Sequence, residues 1–383
     1  MYDAIVVGAR CAESPTAMLL ARQGYRVLLL DKSTFPSDIM STHYIHQPGV
    51  AMLKRWGVLD ALRATNCPPI TKVTLTFGDV VFNPPPPPDD APVQEAFCPR
   101  RTVLDKILVD AAVEAGAELR EGFSVREIVM HGDRVTGVRG AAKGGATVTE
   151  EARIVIGADG LHSKVAAAVK PAEYDTKPTF TFAYYSYWSD FPLDGAELHF
   201  PEGRYAIVFP THDGSACVGI GGLTEGFHEF RKDIEGNYLK EADAVPTVGE
   251  RVRGAKRLER FVGTNDQPNY FRKPYGPGWA LVGDAGYHRD LVTGLGITDA
   301  FRDAQLLADA IDDGFAERQP LDEAMTAYEQ RRNEVAKPLY DATCDIAAAE
   351  KLGPEQFAPF AVAMQAMQTM MVEMADAEKE VPA

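Results

Sequence analysis

Asp3-Ala4-Ile5-Val6-Val7-Gly8-Ala9-Arg10-Cys11-Ala12-Glu13 opens the chain, and Tyr25-Arg26-Val27-Leu28-Leu29-Leu30-Asp31 follows shortly after. Each begins or continues as a short apolar run, the pattern of a strand buried in a parallel sheet. Between them, residues 12–23 carry helical spacing and Gly24 closes the segment. Strand, glycine turn, helix and second strand within about 30 residues make a βαβ unit. In such a unit the N-terminal amides of the helix face a pyrophosphate. Gly8 supplies the tight turn, with Arg10, Cys11 and Ala12 around it. Asp31 ends the second strand, where a carboxylate reaches ribose hydroxyls, and Lys32 follows it.

The fingerprint is incomplete. Of its three usual glycines only Gly8 is present; Arg10 and Glu13 occupy the other two places. An arginine beside a pyrophosphate is electrostatically favourable. A glutamate in the first helical turn suits the helix dipole but repels a phosphate. Glu13 is therefore expected to point away from the phosphates or to pair with Arg10. Cys11 reads as a small buried residue rather than a nucleophile.

Bulk properties narrow the class. A chain of 383 residues suggests two domains, or three, with ample material for a core. A net charge of −16 repels nucleic-acid backbones and anionic membranes, which excludes nucleic acid as the main partner. The five cysteines are odd in number, widely spaced and without a Cys-x-x-Cys pair. This argues against a disulfide framework and a structural zinc site, and makes a reducing cytoplasm the simplest compartment. The first buried strand starts too early for a signal peptide. No apolar run reaches the ~18–20 residues of a membrane span. A monomer or a homodimer is expected.

The periodicities predict a discontinuous arrangement. βαβ material occupies 1–70, 99–170 and 271–345, and strand-rich, aromatic stretches occupy 71–98 and 171–270. The expected fold is α/β: a Rossmann-like domain interrupted twice by a mainly antiparallel sheet domain that holds substrate. A helical tail covers 346–383, with Met364, Met367, Met370, Met371 and Met374 packing on the body or on a second subunit. Pro84 to Pro88 reads as a polyproline II connector. Gly219-Ile220-Gly221-Gly222 reads as a turn, since no acidic strand end follows at dinucleotide spacing.

Two further motifs each follow a buried strand. Ile156-Gly157-Ala158-Asp159-Gly160-Leu161-His162-Ser163 opens one helix. Gly283-Asp284-Ala285-Gly286 leads to Thr293-Gly294-Leu295-Gly296-Ile297, which opens another. Three such motifs in this order resemble the FAD-dependent para-hydroxybenzoate hydroxylase superfamily, over residues 3 to about 340. That superfamily includes group A flavin monooxygenases, geranylgeranyl reductases and flavin-dependent halogenases. The resemblance implies that Asp284, after Gly283, bonds the ribitol of FAD. It implies that the amides of Gly294, Leu295, Gly296 and Ile297 face the pyrimidine edge of the flavin. Asp159 is implied to support the flavin region and the nicotinamide contact. Arg101, in Arg101-x-x-Leu104-Asp105, matches the arginine that approaches FAD from an interior helix.

Departures from the hydroxylase pattern are specific. Tyr287 and Leu291 stand where a His and a Pro are usual, and Thr-Gly-x-Gly-Ile is similar to the reductase branch. Residues 35–48 match the reductase segment that passes the flavin, with Met40-Ser41-Thr42 in place of Cys-Gly-Gly. The Trp-x-Trp-x-Ile-Pro signature of tryptophan-type halogenases is absent. In the flavin-side segment, His43, Tyr44 and His46 are candidates for substrate or flavin contact, and a neutral imidazole there can act as base or proton donor. On one aromatic strand, either Tyr185 with Tyr187 or Tyr184 with Trp188 should line the cavity. His43, His46, Tyr185 and Tyr187 are the candidate catalytic residues. His288 and Arg289 either border the flavin or lie in a surface loop.

The leading expectation is an FAD-dependent monooxygenase of secondary metabolism, using reduced flavin and O2 on an aromatic or polycyclic small molecule. NAD(P)H, or a partner flavin reductase, would supply the electrons. The alternative is a flavin-dependent reductase or dehydrogenase of an unsaturated, prenyl-type substrate, followed by a halogenase. A non-catalytic FAD-binding scaffold is the rival from outside enzymology.

Overall fold

The computed structural model describes residues 1–89 and 91–376, with side chains to residue 371. Met374 lies outside the described side chains. Tyr2–Val7 pairs in parallel with Val27–Leu30 on one side and with Val148–Gly157 on the other. Trp279–Leu281 continues the sheet in parallel beyond Val148–Gly157, and Glu118–Arg120 lies beyond Val27–Leu30. Alternate side chains go to opposite faces. Ala4, Val6, Leu29 and Ile156 pack under the helices Glu13–Arg22, Arg101–Glu114 and Gly296–Phe315. Ile5, Val7, Leu28 and Val155 pack under the hairpin Phe123–His131/Arg134–Ala142 and the short helix Lys164–Val169.

Register fixes where the motifs meet. Val7 is opposite both Leu30 and Gly157, and Gly157 is opposite Leu281. The turns that begin at Gly8, Ala158 and Gly283 therefore leave the same edge of the sheet. That edge, at the carboxyl ends of parallel strands, is where open α/β sheets hold ligands.

The second sheet joins distant parts of the chain. Its strands run in the order Lys256–Arg257, Thr181–Ser189, Ala216–Leu223, Arg204–Pro210, Ala196–Phe200, Val73–Phe77 and Val80–Phe82, with Val262–Thr264 also paired to Thr181–Ser189. All its pairs are antiparallel except Ala196–Phe200 with Val73–Phe77. One face carries Tyr187, Tyr205, Phe209 and Cys217 against Tyr44, Cys98 and Val292. The other carries Phe182, Tyr184, Trp188 and Val218 against Phe227, Phe230 and Tyr238. A small third sheet consists of Glu173–Lys177, Asn269–Arg272 and Tyr287–His288 and packs against Ala336, Tyr340 and Cys344.

One reading of the sequence needs correction. Gly219, Gly221 and Gly222 are not in a turn but inside the strand Ala216–Leu223. The reason is close packing: a Cβ on Gly221 would stand 2.2 Å from the Tyr205 ring and 2.3 Å from the Phe182 carbonyl. Past the aromatic strands the chain forms two helices, Phe227–Phe230 and Ile234–Asp243. Asp233 breaks the run by capping the second helix, accepting the Gly236 N–H at 2.9 Å. The strand Ala196–Phe200 and the helix Pro246–Gly254 were not foreseen, because neither has a clean period in so short a stretch.

All five cysteines are buried and free. Among the described residues no helix is long and apolar enough to cross a membrane. The last helix, Pro354–Asp376, packs on the body: Met367, Met370 and Met371 are buried in the main core, and Phe357 lies 4.8 Å from Phe77 and 5.0 Å from Phe200 between ring centres. Met367→Ala should lower stability by about 2–4 kcal/mol, the cost of emptying a closed core site. The thermal unfolding midpoint checks this; an unchanged midpoint would mean the helix is undocked in solution.

Candidate functional site

The first turn is built around two carboxylates. Gly8 adopts φ +104°, a backbone conformation that side chains disfavour. Asp31 locks the turn from the neighbouring strand, accepting the Ala9 N–H at 2.9 Å and the Ser33 N–H at 2.6 Å. Lys32, next to it, is exposed. Arg10 reaches across to Asp105 at 2.6 Å and to the Ser37 hydroxyl at 3.0 Å. Arg101 donates to the other Asp105 oxygen at 2.8 Å, and the Cys11 thiol lies 3.5 Å from that oxygen. Arg10, Cys11 and Arg101 thus converge on Asp105, which is fully buried. Sequence reasoning passed over Asp105; the signal was its place four residues after Arg101 on one helix, where such pairs meet.

Glu13 does not pair with Arg10. Its carboxyl turns back and accepts the N–H of Ala12 at 2.9 Å. Burial pushes its pKa up to about 8, and the nearby Asp31 and Asp105 add to the rise. Burial also pushes the Cys11 thiol well up, which leaves it inert as a nucleophile.

At the second motif, Asp159 accepts the Ser163 hydroxyl at 2.5 Å and the Lys164 N–H at 2.6 Å, fixing the start of the short helix. At the third, Tyr270 donates to the Asp284 carbonyl at 2.6 Å and holds the turn after Gly283. The helix Gly296–Phe315 then starts with Leu295 as N-cap and no side-chain cap. A Cβ on Gly296 would meet nothing within 4 Å, so the approach to these amides is open. His46 clamps the loop before it: its ring Nε2 is 3.0 Å from the Thr293 carbonyl, and its backbone N–H donates to the Thr298 hydroxyl at 3.2 Å. Burial lowers the His46 pKa to about 4, so the ring is neutral. Behind the loop, Asp299 accepts from Arg302 at 2.8 Å, from Tyr287 at 3.1 Å and from Arg289. Arg289 is buried, not in a surface loop, and its Nε and one Nη have no partner.

On the aromatic strand, Tyr185 and Tyr187 face the flavin-side segment, and Tyr184 and Trp188 face away. His43 Nε2 is 2.7 Å from the Tyr187 hydroxyl, and its ring meets that of Tyr185 edge-on at 5.6 Å. His43 is fully buried at φ 61°, a left-handed backbone that few residues other than glycine take. Burial, with Arg101 and Arg100 nearby, lowers its pKa to about 3 and keeps the ring neutral. Arg100 stacks 3.7 Å above the Tyr187 ring while paired with Glu259 at 2.7 Å.

These features fit a flavin dinucleotide. The Gly8 turn, the Asp31 carboxylate, the cationic Arg10 and Arg101, and an uncapped 20-residue helix with open space before it supply the donors and acceptors that ligand needs. Arg10→Ala is expected to weaken FAD retention about tenfold or more, the loss of a charge-assisted contact. The flavin-to-protein absorbance ratio after gel filtration reads this directly; an unchanged ratio would make Arg10 a tolerated substitution.

Residues 1–343 match the family described as "FAD binding domain". Digeranylgeranylglycerophospholipid reductase 2 of Methanopyrus kandleri is 28% identical over 318 residues, covering 77% of this chain and 73% of its own. The corresponding reductase of Methanosarcina mazei is 28% identical over 333 residues, covering 81% and 74%. Among solved structures, the myxobacterial chondrochloren halogenase CndH superposes with a TM-score of 0.83 at 24% identity, covering 96% of this chain and 90% of its own. PqsL of Pseudomonas aeruginosa, a probable FAD-dependent monooxygenase, gives 0.77 at 18%, covering 95% and 99%. At these identities the structural likeness speaks for the fold. The chain belongs to the FAD binding domain family and is a flavin-dependent oxidoreductase.

Proposed function

We propose that the protein is a flavin-dependent reductase of an unsaturated, largely apolar substrate of prenyl type. This reverses the order of the sequence reading, which put the monooxygenase first. The observation that carries it is the buried, neutral His43–Tyr187 pair, 2.7 Å apart, on the aromatic wall that faces the flavin-side segment. The reductase relatives in two archaea support the same choice.

Bound FAD supplies two-electron chemistry beside the substrate. Gly8, Arg10, Asp31 and Arg101 would hold its adenosine diphosphate half. The amides of Gly294 to Ile297 lie at the positive end of a long helix and favour negative charge next to them. Tyr185 and Tyr187 exclude water and shape an apolar wall. Saturating a carbon–carbon double bond requires a proton as well as a hydride. In this reading the Tyr187 hydroxyl, hydrogen-bonded to His43 Nε2, gives that proton; burial raises its pKa and keeps it a neutral phenol, and Arg100 above its ring partly counters that rise. NADH or NADPH, or a partner flavin reductase, is the proposed electron source.

The aromatic wall also favours a second reading, a monooxygenase for a flat aromatic substrate. Oxygen consumption separates the two. With NAD(P)H and a polyprenyl substrate, turnover should proceed without oxygen; uptake of one O2 per turnover with an aromatic substrate would reverse the choice. Tyr187→Phe should lower the rate of substrate reduction about 10²–10⁴-fold, with flavin reduction by NAD(P)H unchanged in stopped-flow absorbance. Equal losses in both half-reactions would assign Tyr187 a structural role only.

A further inference from the structure

Glu13 stands where the dinucleotide fingerprint has its third glycine, and its side chain is folded into the turn instead of out of it. A Cβ built on Gly8 would lie 2.5 Å from Glu13 Oε1 and 2.7 Å from its Cγ. The space beside Gly8, kept bare in this fingerprint for close approach, is therefore filled by this side chain. The same carboxyl takes the Ala12 N–H at the start of the helix, one of the donors that a helix N-terminus offers to an anion.

We propose that Glu13 is a built-in competitor for the FAD pyrophosphate, so that the cofactor loads only when this carboxyl is protonated or swung out of the turn. The inference rests on the FAD reading of the site. It goes beyond that reading in making cofactor loading dependent on pH.

The surroundings of Glu13 give the sign. Asp31 faces it from the neighbouring strand, and Asp105 and Arg101 from the interior helix. Arg10 and Cys11 belong to the turn itself. Both arginines are engaged by Asp105, at 2.6 and 2.8 Å. Glu13 is 6% exposed, and Asp31 and Asp105 lie near its carboxyl. Burial first, and those anions second, push its pKa up to about 8. Below that pH the group is neutral and can hydrogen-bond a phosphate as a donor. Above it, a negative charge already occupies the anion site, and each FAD must bring a proton or face two charges in one turn. The dissociation constant for FAD should be flat below about pH 8 and rise by up to about tenfold per pH unit above it.

The test is FAD binding to deflavinated protein, followed by flavin fluorescence between about pH 6.5 and 9.5, for wild type, Glu13→Gln and Glu13→Gly. Circular dichroism of each apoprotein checks that the fold is kept; glycine is the residue the fingerprint places there. The expected result is a pH-dependent wild type, a flat profile for both variants, and binding about tenfold tighter in Glu13→Gly near pH 9. A flat wild-type profile, or the same slope in Glu13→Gln, overturns the proposal. Failure of all three folded proteins to take up FAD overturns the cofactor reading itself, and this inference with it.

Discussion

The opposition of Val7, Gly157 and Leu281 in three adjacent parallel strands is the constraint on which the rest of the structure depends. A slip of one residue in either pairing would turn every side chain of that strand to the other face. Ala4 and Val6 would then leave the helical side of the core and Ile5 and Val7 the hairpin side. The glycine turns after these strands would also lose their common edge. Burial of both faces therefore holds the register, and the register assembles the site from segments more than 100 residues apart.

Charge completes what packing begins. Asp105 gathers Arg10 and Arg101 behind the first turn, and Asp299 gathers Arg289, Arg302 and Tyr287 behind the third. Buried carboxylates with such partners fix geometry more than they add stability. Each tethers a loop that would otherwise follow only its glycine. His46 does the same for the Thr293 loop through a backbone carbonyl. The left-handed His43 is a strained residue held by its neighbours, which is a common mark of a working site.

Much of this was legible in the sequence, for identifiable reasons. Short buried runs ending in glycine announce parallel strands, so the three turns and their helices could be placed by number. The alternation of Tyr184, Tyr185, Tyr187 and Trp188 showed that one set would face the flavin side, but which set depends on a register visible only after folding. The Gly219–Gly222 stretch misled because bare positions in a strand look like a turn until Tyr205 is seen lying across them. The pairing of Asp105 with Arg101 was signalled by their four-residue spacing, but its contact with Arg10 joins segments 95 residues apart, and the inward fold of Glu13 onto the Ala12 N–H is a side-chain direction that sequence pattern does not set. Substrate chemistry was least legible: the glycine motifs serve reductases, oxygenases and halogenases alike, and only the His43–Tyr187 pair and the reductase relatives favour one of them.

Reduction of an unsaturated substrate by the flavin is the central claim. It is tested most directly by photoreducing the purified holoprotein without oxygen and mixing it anaerobically with a polyprenyl substrate while the flavin absorbance is recorded. Return of the oxidised-flavin spectrum with formation of the saturated product is the predicted result. A flavin that stays reduced until air is admitted would contradict it.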